Sequence, residues 1–338
     1  MTSEARPPQH PSVEHGQVGV LLINLGTPDA PEAAAVRRYL AEFLSDRRVI
    51  EIPRAAWLPI LHGIILRTRP RKSAHAYKQV WTNDGSPLAA ISRRQTNALR
   101  ERMADRIVVE SAMRYGQPPI AKAIHKMIDD GCERILVAPL YPQYCAATTA
   151  TANDAVFGVL AGMRRQPSLR TLPPYYDDPL YIRALTISIE RQLAELDFQP
   201  QRLLLSFHGM PQRTLELGDP YYCHCQKTAR LLSAELSVET EIAFQSRFGR
   251  AKWLEPATDE VLAALPEQGI KRIAIAAPGF SADCVETIEE LGIRGRETFM
   301  AAGGESFARI DCLNDSPEGM EMLELLVVRE LAGWLQPT

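Results

Sequence analysis

Short runs of apolar residues recur along the chain, and each ends in Gly, Pro or an aromatic residue. The clearest runs are VGVLLINLGTP, RIVVESAMRYG, RILVAPLYPQY, RLLLSFHGMP, TEIAFQSRFG and RIAIAAPGF. Continuous apolar runs of this length are typical of strands buried on both faces of a parallel sheet. Amphipathic segments such as PPIAKAIHKMIDDG and ATDEVLAALPEQG lie between them and predict helices that end at Gly. The alternation predicts an α/β fold with doubly wound, Rossmann-like parallel sheets.

Three runs in the first half of the chain resemble three runs in the second half, in the same order. LLINLGTP (21–28) matches LLSFHGMP (204–211), RYG (114–116) matches RFG (247–249), and GCERILVA (131–138) matches GIKRIAIA (269–276). The fixed order indicates two copies of one unit. Gly26 and Gly116 lie about 50 residues further apart than Gly209 and Gly249, so the first copy should contain an insertion.

These observations predict the domain organisation. A polar, proline-rich start predicts a disordered tail over residues 1–17. We expect one Rossmann-like domain over 18–150, with the insertion at about 53–87, and a second over 151–311. The remaining residues, 312–338, form a C-terminal segment that follows the second domain.

The insertion combines an apolar segment, WLPILHGIIL, with the basic segment RTRPRKS that follows. Ten apolar residues are too few to span a bilayer, which takes about 20. Two interpretations stay open. The segment is a core helix with a solvated basic end, or it is an apolar lip that receives a large apolar ligand. A lip of this kind could also contact an anionic membrane surface through residues 57–72.

Charge and composition exclude several functional classes. A formal net charge of -3 gives no electrostatic case for nucleic acid, since proteins that bind it usually carry a basic face. The start of the chain shows no signal-peptide pattern, so we expect a cytoplasmic protein with reduced cysteines. Cys223-His224-Cys225 has no second pair of ligands at zinc-site spacing. Neither first strand is followed by G-x-G-x-x-G, which disfavours a nucleotide-binding enzyme.

One histidine occupies the place where a parallel sheet binds ligands, beyond the carboxyl end of a strand. The internal match puts His208 where the first copy has Leu25, so the two copies differ at this position. A core histidine bonded to backbone would explain His208 without any function. Its place at a strand end favours an imidazole that accepts protons or binds metal near neutral pH.

Three acidic residues follow the strand that ends near Gly279. Asp283, Glu286 and Glu290 are spaced i, i+3 and i+7, which predicts one face of a helix. A capping box explains the first two but not Glu290. An imidazole beside a carboxylate suits ferrous iron, yet two protein ligands are too few for a permanent catalytic metal. The residues therefore predict a metal that passes through the site.

An ordered set of motifs resembles the ferrochelatase family, in its bacterial type. The set is LLINLGTP, MRYG, YPQY, SFHGMP, GDPYY, FQSRFG, WLEP and PGFSADCVETIEE, and the resemblance runs from about Val18 to Trp334. It implies two Rossmann-like domains that face each other across a porphyrin cleft. It also implies insertion of ferrous iron into protoporphyrin IX to give protohaem, with release of two protons, the last step of haem biosynthesis.

The resemblance also implies roles for individual residues. The catalytic and metal-binding pair falls on His208 and Glu286, and a proton or metal relay falls on Asp283 and Glu290. The C-terminal helix should pack on the first domain. Iron is then a substrate, with no permanently bound cofactor. Since Cys312 is the last cysteine, we expect no iron–sulfur cluster, which normally takes four cysteines. Cys284 stands where some relatives have histidine. The implied porphyrin-binding residues are Arg114, Tyr115, Trp57, Leu61 and Tyr141.

Several alternatives remain open at this level. The ring could be coproporphyrin or a sirohydrochlorin-type tetrapyrrole, although the apolar lip favours a substrate with an apolar edge. The protein could instead carry haem or porphyrin without turnover. A monomer and a homodimer are both compatible with the sequence, as is peripheral contact with the inner membrane.

Overall fold

The predicted apolar runs form two parallel four-stranded sheets. The computed structural model describes residues 16–104, 107–249 and 251–335, so nearly all of the predicted tail lies outside the described residues. The first sheet has the order β2-β1-β3-β4 and the second has the order β6-β5-β7-β8. The strands are β1 (Gln17–Thr27), β2 (Val108–Gly116), β3 (Cys132–Pro139), β4 (Ser168–Thr171), β5 (Arg202–His208), β6 (Thr240–Gln245), β7 (Arg272–Ala276) and β8 (Ser306–Arg309).

The two sheets repeat one topology, which confirms the predicted α/β class. Each unit places its first strand between its second and third, and every pair is parallel. We call the part of the chain around β1–β4 the first unit and the part around β5–β8 the second unit. Two strands were not among the predicted runs. β4 and β8 are four-residue edge strands, too short to show a pattern of buried positions.

Helices connect the strands and cover the sheets. In the first unit they are α1 (Ala33–Ser45), α2 (Arg54–Ile60), α3 (Leu66–Val80), α4 (Pro87–Met103), α5 (Ile120–Asp129) and α6 (Thr151–Ala161), with π-helical turns at Leu61–Ile65 and Ala146–Ala150. Helix α7 (Pro179–Ala194) leads into the second unit. There follow α8 (Gln212–Glu216), α9 (Tyr221–Glu235), α10 (Thr258–Ala264), the 3-10 turn Leu265–Gln268, the π-helix Glu286–Gly295, α11 (Arg296–Ala301) and α12 (Pro317–Glu330).

The alternation of side chains along a strand divides the core into layers. In β1, Leu22 packs into a cluster shared by both units, while Leu21 faces the outer helices of the first sheet. In β5, Leu205 joins the shared cluster and Leu204 faces the outer helices of the second. Helices α4, α7, α9 and α12 fill the shared cluster. The two units therefore have one continuous core between their sheets.

The C-terminal helix α12 lies in that middle layer. It packs against α7 and also against α4 and β3 of the first unit. After it, Arg170 of β4 stacks on the Trp334 ring, and Arg134 of β3 donates to the Trp334 carbonyl. The chain end is thus held on the first unit.

The segment that the sequence marks as an insertion forms α2, a π-helical turn and α3. Val36 of α1 packs against Ala74 and Tyr77 of α3, with Val285 of the second unit beside them. Helix α3 also contacts the π-helix Glu286–Gly295. The inserted helices therefore reach across from the first unit to the second.

Candidate active site

A cleft opens where the carboxyl ends of both sheets meet. It has about 820 Å³ of empty space, including the part open to solvent. The first unit contributes the end of β1, the segment after β3, Tyr77 of α3 and the start of α4. The second unit contributes His208, Tyr221 and the segment from Gly279 to Glu286. Most of these side chains are apolar or aromatic, as in pockets that bind a largely apolar ligand.

His208 closes strand β5 and lines this cleft, as its position predicts. Its Nδ1 lies 2.7 Å from the carbonyl oxygen of Gly209, so in the neutral ring this nitrogen carries the proton. Nε2 is then the free acceptor. The Tyr221 hydroxyl donates to the His208 carbonyl at 2.9 Å and fixes the strand end. Leu25, the matching residue of the first unit, lines the same cleft.

Glu286 also lines the cleft, so a carboxylate shares the cleft wall with the His208 imidazole. It is the first residue of the π-helix Glu286–Gly295. π-helical turns are rare and occur often at functional sites. Burial, and next the nearby Glu286 carboxylate, raise the pKa of Tyr77 well above its usual value. Burial and the same carboxylate also raise the pKa of the Cys284 thiol. Both neighbours therefore remain protonated, and the Cys284 thiol lies within hydrogen-bonding reach of Glu286.

Asp283 does not lie on a common helical face with the other two acids, which corrects the sequence-based expectation. It precedes the helix, and the helix that follows has π rather than α geometry, so α-helical spacing does not apply. Asp283 is buried. Its oxygens accept from Arg309 at 2.7 Å, from Thr287 at 2.7 Å and from Asn314 at 2.7 Å. These contacts occupy the oxygens of the Asp283 carboxylate. The relay role of Asp283 stays a prediction.

Glu290 is occupied in a similar way. Its carboxylate accepts from the Ser246 backbone N–H at 2.8 Å and from the Ser246 hydroxyl at 2.6 Å. Ser246 has a φ of 65°, a left-handed conformation that costs a non-glycine residue about 1–2 kcal/mol. The two hydrogen bonds stabilise that turn at the end of β6. The relay role of Glu290 is likewise untested.

Arg114 and Tyr115 belong to a polar cluster at the end of β2. Arg114 donates to Asp46 at 2.5 Å and to the Thr151 hydroxyl at 2.8 Å. The buried Tyr115 hydroxyl donates to Asp46 at 2.9 Å. Hydrogen bonds from Thr151, Arg48 and Tyr115, with the charge of Arg114, lower the pKa of Asp46 despite its burial. Neither Arg114 nor Tyr115 is among the residues that line the cleft.

The inserted segment also holds part of its apolar surface in a small core of its own. Leu61 is fully buried against Leu44 and Leu66. The indole N–H of Trp57 donates to the Leu44 carbonyl at 2.6 Å. Trp57 and Leu61 are therefore internal supports of this segment in the structure, and they are not among the residues that line the cleft.

Tyr141 does line the cleft, on the segment after β3. Its hydroxyl oxygen is inaccessible to water and has no hydrogen-bond partner among the residues that the structure describes. Buried polar groups nearly always have a partner. Burial raises the pKa of Tyr141 well above its usual value, so the hydroxyl remains a donor. Tyr141 therefore contributes to the cleft wall while its hydroxyl is enclosed by the protein.

Sequence reasoning missed several residues of the cleft wall. Asn24 left a visible signal, because it is a polar residue near the end of an apolar strand. Phe280 and Gln143 lay within quoted motifs, but their direction could not be read from sequence. Tyr77 left no signal, because α3 reaches the cleft only through the packing of the inserted segment.

Groups of three or more His, Cys, Asp or Glu side chains that could hold a metal ion do not occur among residues 16–104, 107–249 and 251–335. All six cysteines are free thiols. In the Cys223-His224-Cys225 sequence, Cys225 is buried, Cys223 is exposed, and the His224 ring stacks on Tyr176. Likewise, no helix in the described part of the chain is long and apolar enough to cross a membrane.

Solved structures with a similar fold define the class of protein. SirB from Bacillus subtilis with Fe3+ matches with a TM-score of 0.56 at 15% identity, over 94% of this chain and 96% of that chain. The sirohydrochlorin chelatase SirB from Bacillus subtilis subspecies spizizenii in complex with cobalt matches with a TM-score of 0.54 at 11% identity, over 94% and 95%. The chain has the two-unit α/β fold of the chelatases.

Sequence comparison then gives the family. The family model described as Ferrochelatase matches residues 17–331. A ferrochelatase of Rhizobium meliloti (strain 1021) is 54% identical over 334 residues, covering 97% of this chain and 98% of the relative. A ferrochelatase of Agrobacterium fabrum (strain C58 / ATCC 33970) is 52% identical over 339 residues, covering 98% of each. The chain belongs to the ferrochelatase family. It is therefore an enzyme, a metal chelatase of the lyase class.

Proposed function

We propose that the cleft inserts ferrous iron into protoporphyrin IX to give protohaem, with His208 and Glu286 as the groups that act on the reacting atoms. The observation that carries these roles is that the imidazole and the carboxylate line one cleft in a chain of the ferrochelatase family. Ferrous iron is a substrate here, as two protein ligands suit a metal that enters and leaves.

The chemistry requires proton acceptors beside the ring. Two pyrrole N–H protons must leave the macrocycle while the iron loses its water ligands. A neutral His208 has Nε2 free to accept a proton or to bind the incoming metal, because its Nδ1 donates to the Gly209 carbonyl. The Glu286 carboxylate supplies a second acceptor, and it becomes a neutral carboxylic acid when it takes a proton from the ring.

The walls of the cleft suit a flat apolar ring. Leu25 and Leu88 lie on the first-unit side and Phe280 on the second-unit side. Tyr141 lines the wall beside them. The apolar character favours protoporphyrin IX over a ring with more carboxylates, which would call for additional cations in the wall. Asp283 and Glu290, through their hydrogen bonds, position the segment that carries Glu286.

Contact with a membrane surface belongs to the same proposal. Ile60 and Ile64 of the inserted segment are 41% and 58% exposed, and they lie one helical turn apart. Arg67 and Arg71 continue the same spacing with exposed basic side chains. An exposed apolar pair followed by cations suits the surface of an anionic bilayer. Such contact would bring an apolar substrate to the cleft without a membrane-spanning helix.

The decisive experiment is anaerobic mixing of the protein with protoporphyrin IX and ferrous iron, followed by its visible spectrum. We expect wild-type protein to form haem and His208→Ala to be about 10²–10⁴-fold slower, the usual contribution of a general acid or base. His125 is an exposed histidine on α5, and His125→Ala is the matched control. Porphyrin binding is measured separately by fluorescence.

Two outcomes would contradict the proposal. If His208→Ala forms haem as fast as His125→Ala, the imidazole has no part in the reaction. If wild-type protein binds protoporphyrin IX but forms no haem, it acts only as a carrier for that ring. Repeating the assay with coproporphyrin then identifies a chelatase for a different porphyrin.

A further inference from the structure

Three hydrogen bonds join the segment after β3 to the second unit beside the cleft, and their second-unit partners all lie on or next to helix α9. Asp219, just before α9, accepts from the Ala146 N–H at 2.7 Å. His224 accepts from the Tyr144 N–H through Nδ1 at 3.1 Å. Thr228 accepts from the Gln143 side-chain amide through its hydroxyl oxygen at 3.1 Å. We call these contacts the α9 seam.

The first-unit partners of the α9 seam form a single segment, residues 141–146, between β3 and the π-helical turn that follows. This segment contributes Tyr141 and Gln143 to the cleft wall. At the other side of the seam, the Tyr221 hydroxyl of α9 donates to the carbonyl of His208. Helix α9 thus holds a wall of the cleft and the end of the catalytic strand at the same time.

We propose that His224 is a positioning residue for the porphyrin cleft, and that it holds the 141–146 segment only while its imidazole is neutral. A backbone N–H can only donate, so the Tyr144 contact requires an unprotonated Nδ1. A protonated imidazole carries a hydrogen on both nitrogens and would turn this contact into two donors facing each other.

The surroundings of His224 set its protonation. Its ring stacks on Tyr176 at 3.6 Å between centroids, with an interplanar angle of 8°. Burial lowers the pKa of His224 below its ordinary value of 6.5, while the carboxylates of Asp177 and Asp219 act in the opposite direction. The imidazole is therefore neutral at pH 7 and above. Since its pKa is lowered, the contact persists below pH 6.5 and is lost as the pH falls through the lowered pKa.

Losing the contact affects binding more than chemistry. His224 does not line the cleft, and its imidazole contacts Tyr144 and Tyr176 rather than the groups that react. Protonation would free the backbone that carries Tyr141 and Gln143, and the porphyrin would meet a less ordered wall. We therefore expect acidification to raise the dissociation constant and KM for porphyrin, with kcat less affected by this step. The inference rests on the proposed function, since it takes the ligand to be a porphyrin.

Two substitutions separate the hydrogen bond from the ring. His224→Asn places an amide oxygen near the position of Nδ1, so it keeps an acceptor for the Tyr144 N–H that does not titrate. His224→Phe keeps a ring to stack on Tyr176 but has no acceptor. His125→Asn, on the exposed face of α5, is the matched control for removing a histidine.

Porphyrin binding is measured by fluorescence titration with protoporphyrin IX from about pH 8 to about pH 5.5, the range in which histidine changes charge. In wild type and His125→Asn we expect the dissociation constant to rise about three- to tenfold more than in His224→Asn, the effect of about one hydrogen bond. His224→Phe should bind more weakly than wild type at about pH 8. Titration of the porphyrin itself is common to all variants and cancels in the comparison.

The proposal is overturned if His224→Asn and wild type show the same pH dependence, or if binding by wild type does not change with pH. Because His224→Asn retains the acceptor, its result stands even if His224→Phe fails to fold. Failure of the proposed function looks different, since it would abolish porphyrin binding or haem formation in wild type at every pH.

Discussion

The three acidic residues near the cleft have different roles in the structure although all carry a carboxylate. Glu286 lines the cleft, whereas Asp283 and Glu290 use their oxygens to hold neighbouring backbone and side chains. All three acids look alike in the sequence. What separates them is how many of their lone pairs the fold already occupies, and this depends on partners such as Arg309 and Ser246 that lie far away along the chain.

At the residue scale we predict that Asp283→Ala lowers the free energy of unfolding by about 3–5 kcal/mol, because it leaves the partly buried Arg309 without its inner carboxylate. The matched control is Asp311→Ala. Asp311 also pairs with Arg309, but its side chain is 57% exposed, so the change should stay within about 1 kcal/mol. Urea denaturation followed by circular dichroism measures both. Equal losses for the two variants would contradict this assignment.

His208 could be found from the sequence because two local facts coincide there: an apolar strand ends, and the copy in the other half has leucine. Tyr77 could not be found from the sequence, because no pattern within α3 indicates which distant part of the chain it will contact. The predicted alignment of Asp283 with Glu286 and Glu290 was wrong for a different reason, because Asp283 precedes the helix. The spacing of the acids predicts one face only for an α-helix, and this segment is a π-helix. Its close packing at Gly292 against Arg309 and at Gly295 against Leu262 depends on residues that are distant in the sequence.

At the scale of elements, close approach of neighbouring strands determines where the cleft begins. Gly26 near the end of β1 has a φ of 113°, and a Cβ atom there would lie 1.8 Å from the Tyr115 carbonyl oxygen of β2. Only glycine combines this conformation with this contact. The six long strands were predictable from their apolar runs, whereas the edge strands β4 and β8 are held by pairing with β3 and β7 rather than by a pattern of their own.

We predict that Gly26→Ala destabilises the fold by about 2–5 kcal/mol, through left-handed strain and overpacking together. Because Gly26 also lines the cleft, porphyrin affinity should fall in the protein that still folds. Gly158→Ala in α6 is the control, since a Cβ there meets open space and should stabilise the helix by about 0.5–1 kcal/mol. Thermal unfolding measures both changes. A neutral Gly26→Ala would show that the strands can separate without cost.

At the scale of the whole molecule, the shared core makes the two units depend on each other. Leu326 of α12 is fully buried in the cluster that contains residues from both sheets, whereas its neighbour Leu325 is 42% exposed. The family resemblance implied both the helix α12 and the place where it packs. No local pattern in the sequence shows that α4, α7, α9 and α12 form a common layer, because that layer exists only when both sheets are present.

We predict that Leu326→Ala lowers the free energy of unfolding by about 2–5 kcal/mol, the usual cost of a cavity in a close-packed core. Leu325→Ala should change it by less than about 0.5 kcal/mol, as for surface positions. Circular dichroism and haem-forming activity, followed through one urea titration, should show a single coincident transition in both variants. Two separate transitions in Leu326→Ala would mean that the units unfold independently.

The mismatch between Leu25 and His208 at equivalent strand ends has a consequence for the two copies. The second unit contributes the imidazole and carboxylate, and the first unit contributes uncharged side chains to the same cleft. A flat ring between them has two nearly equivalent faces, yet only one would meet proton acceptors. The two copies are therefore specialised, since the second carries the reacting groups and the first shapes the opposite wall.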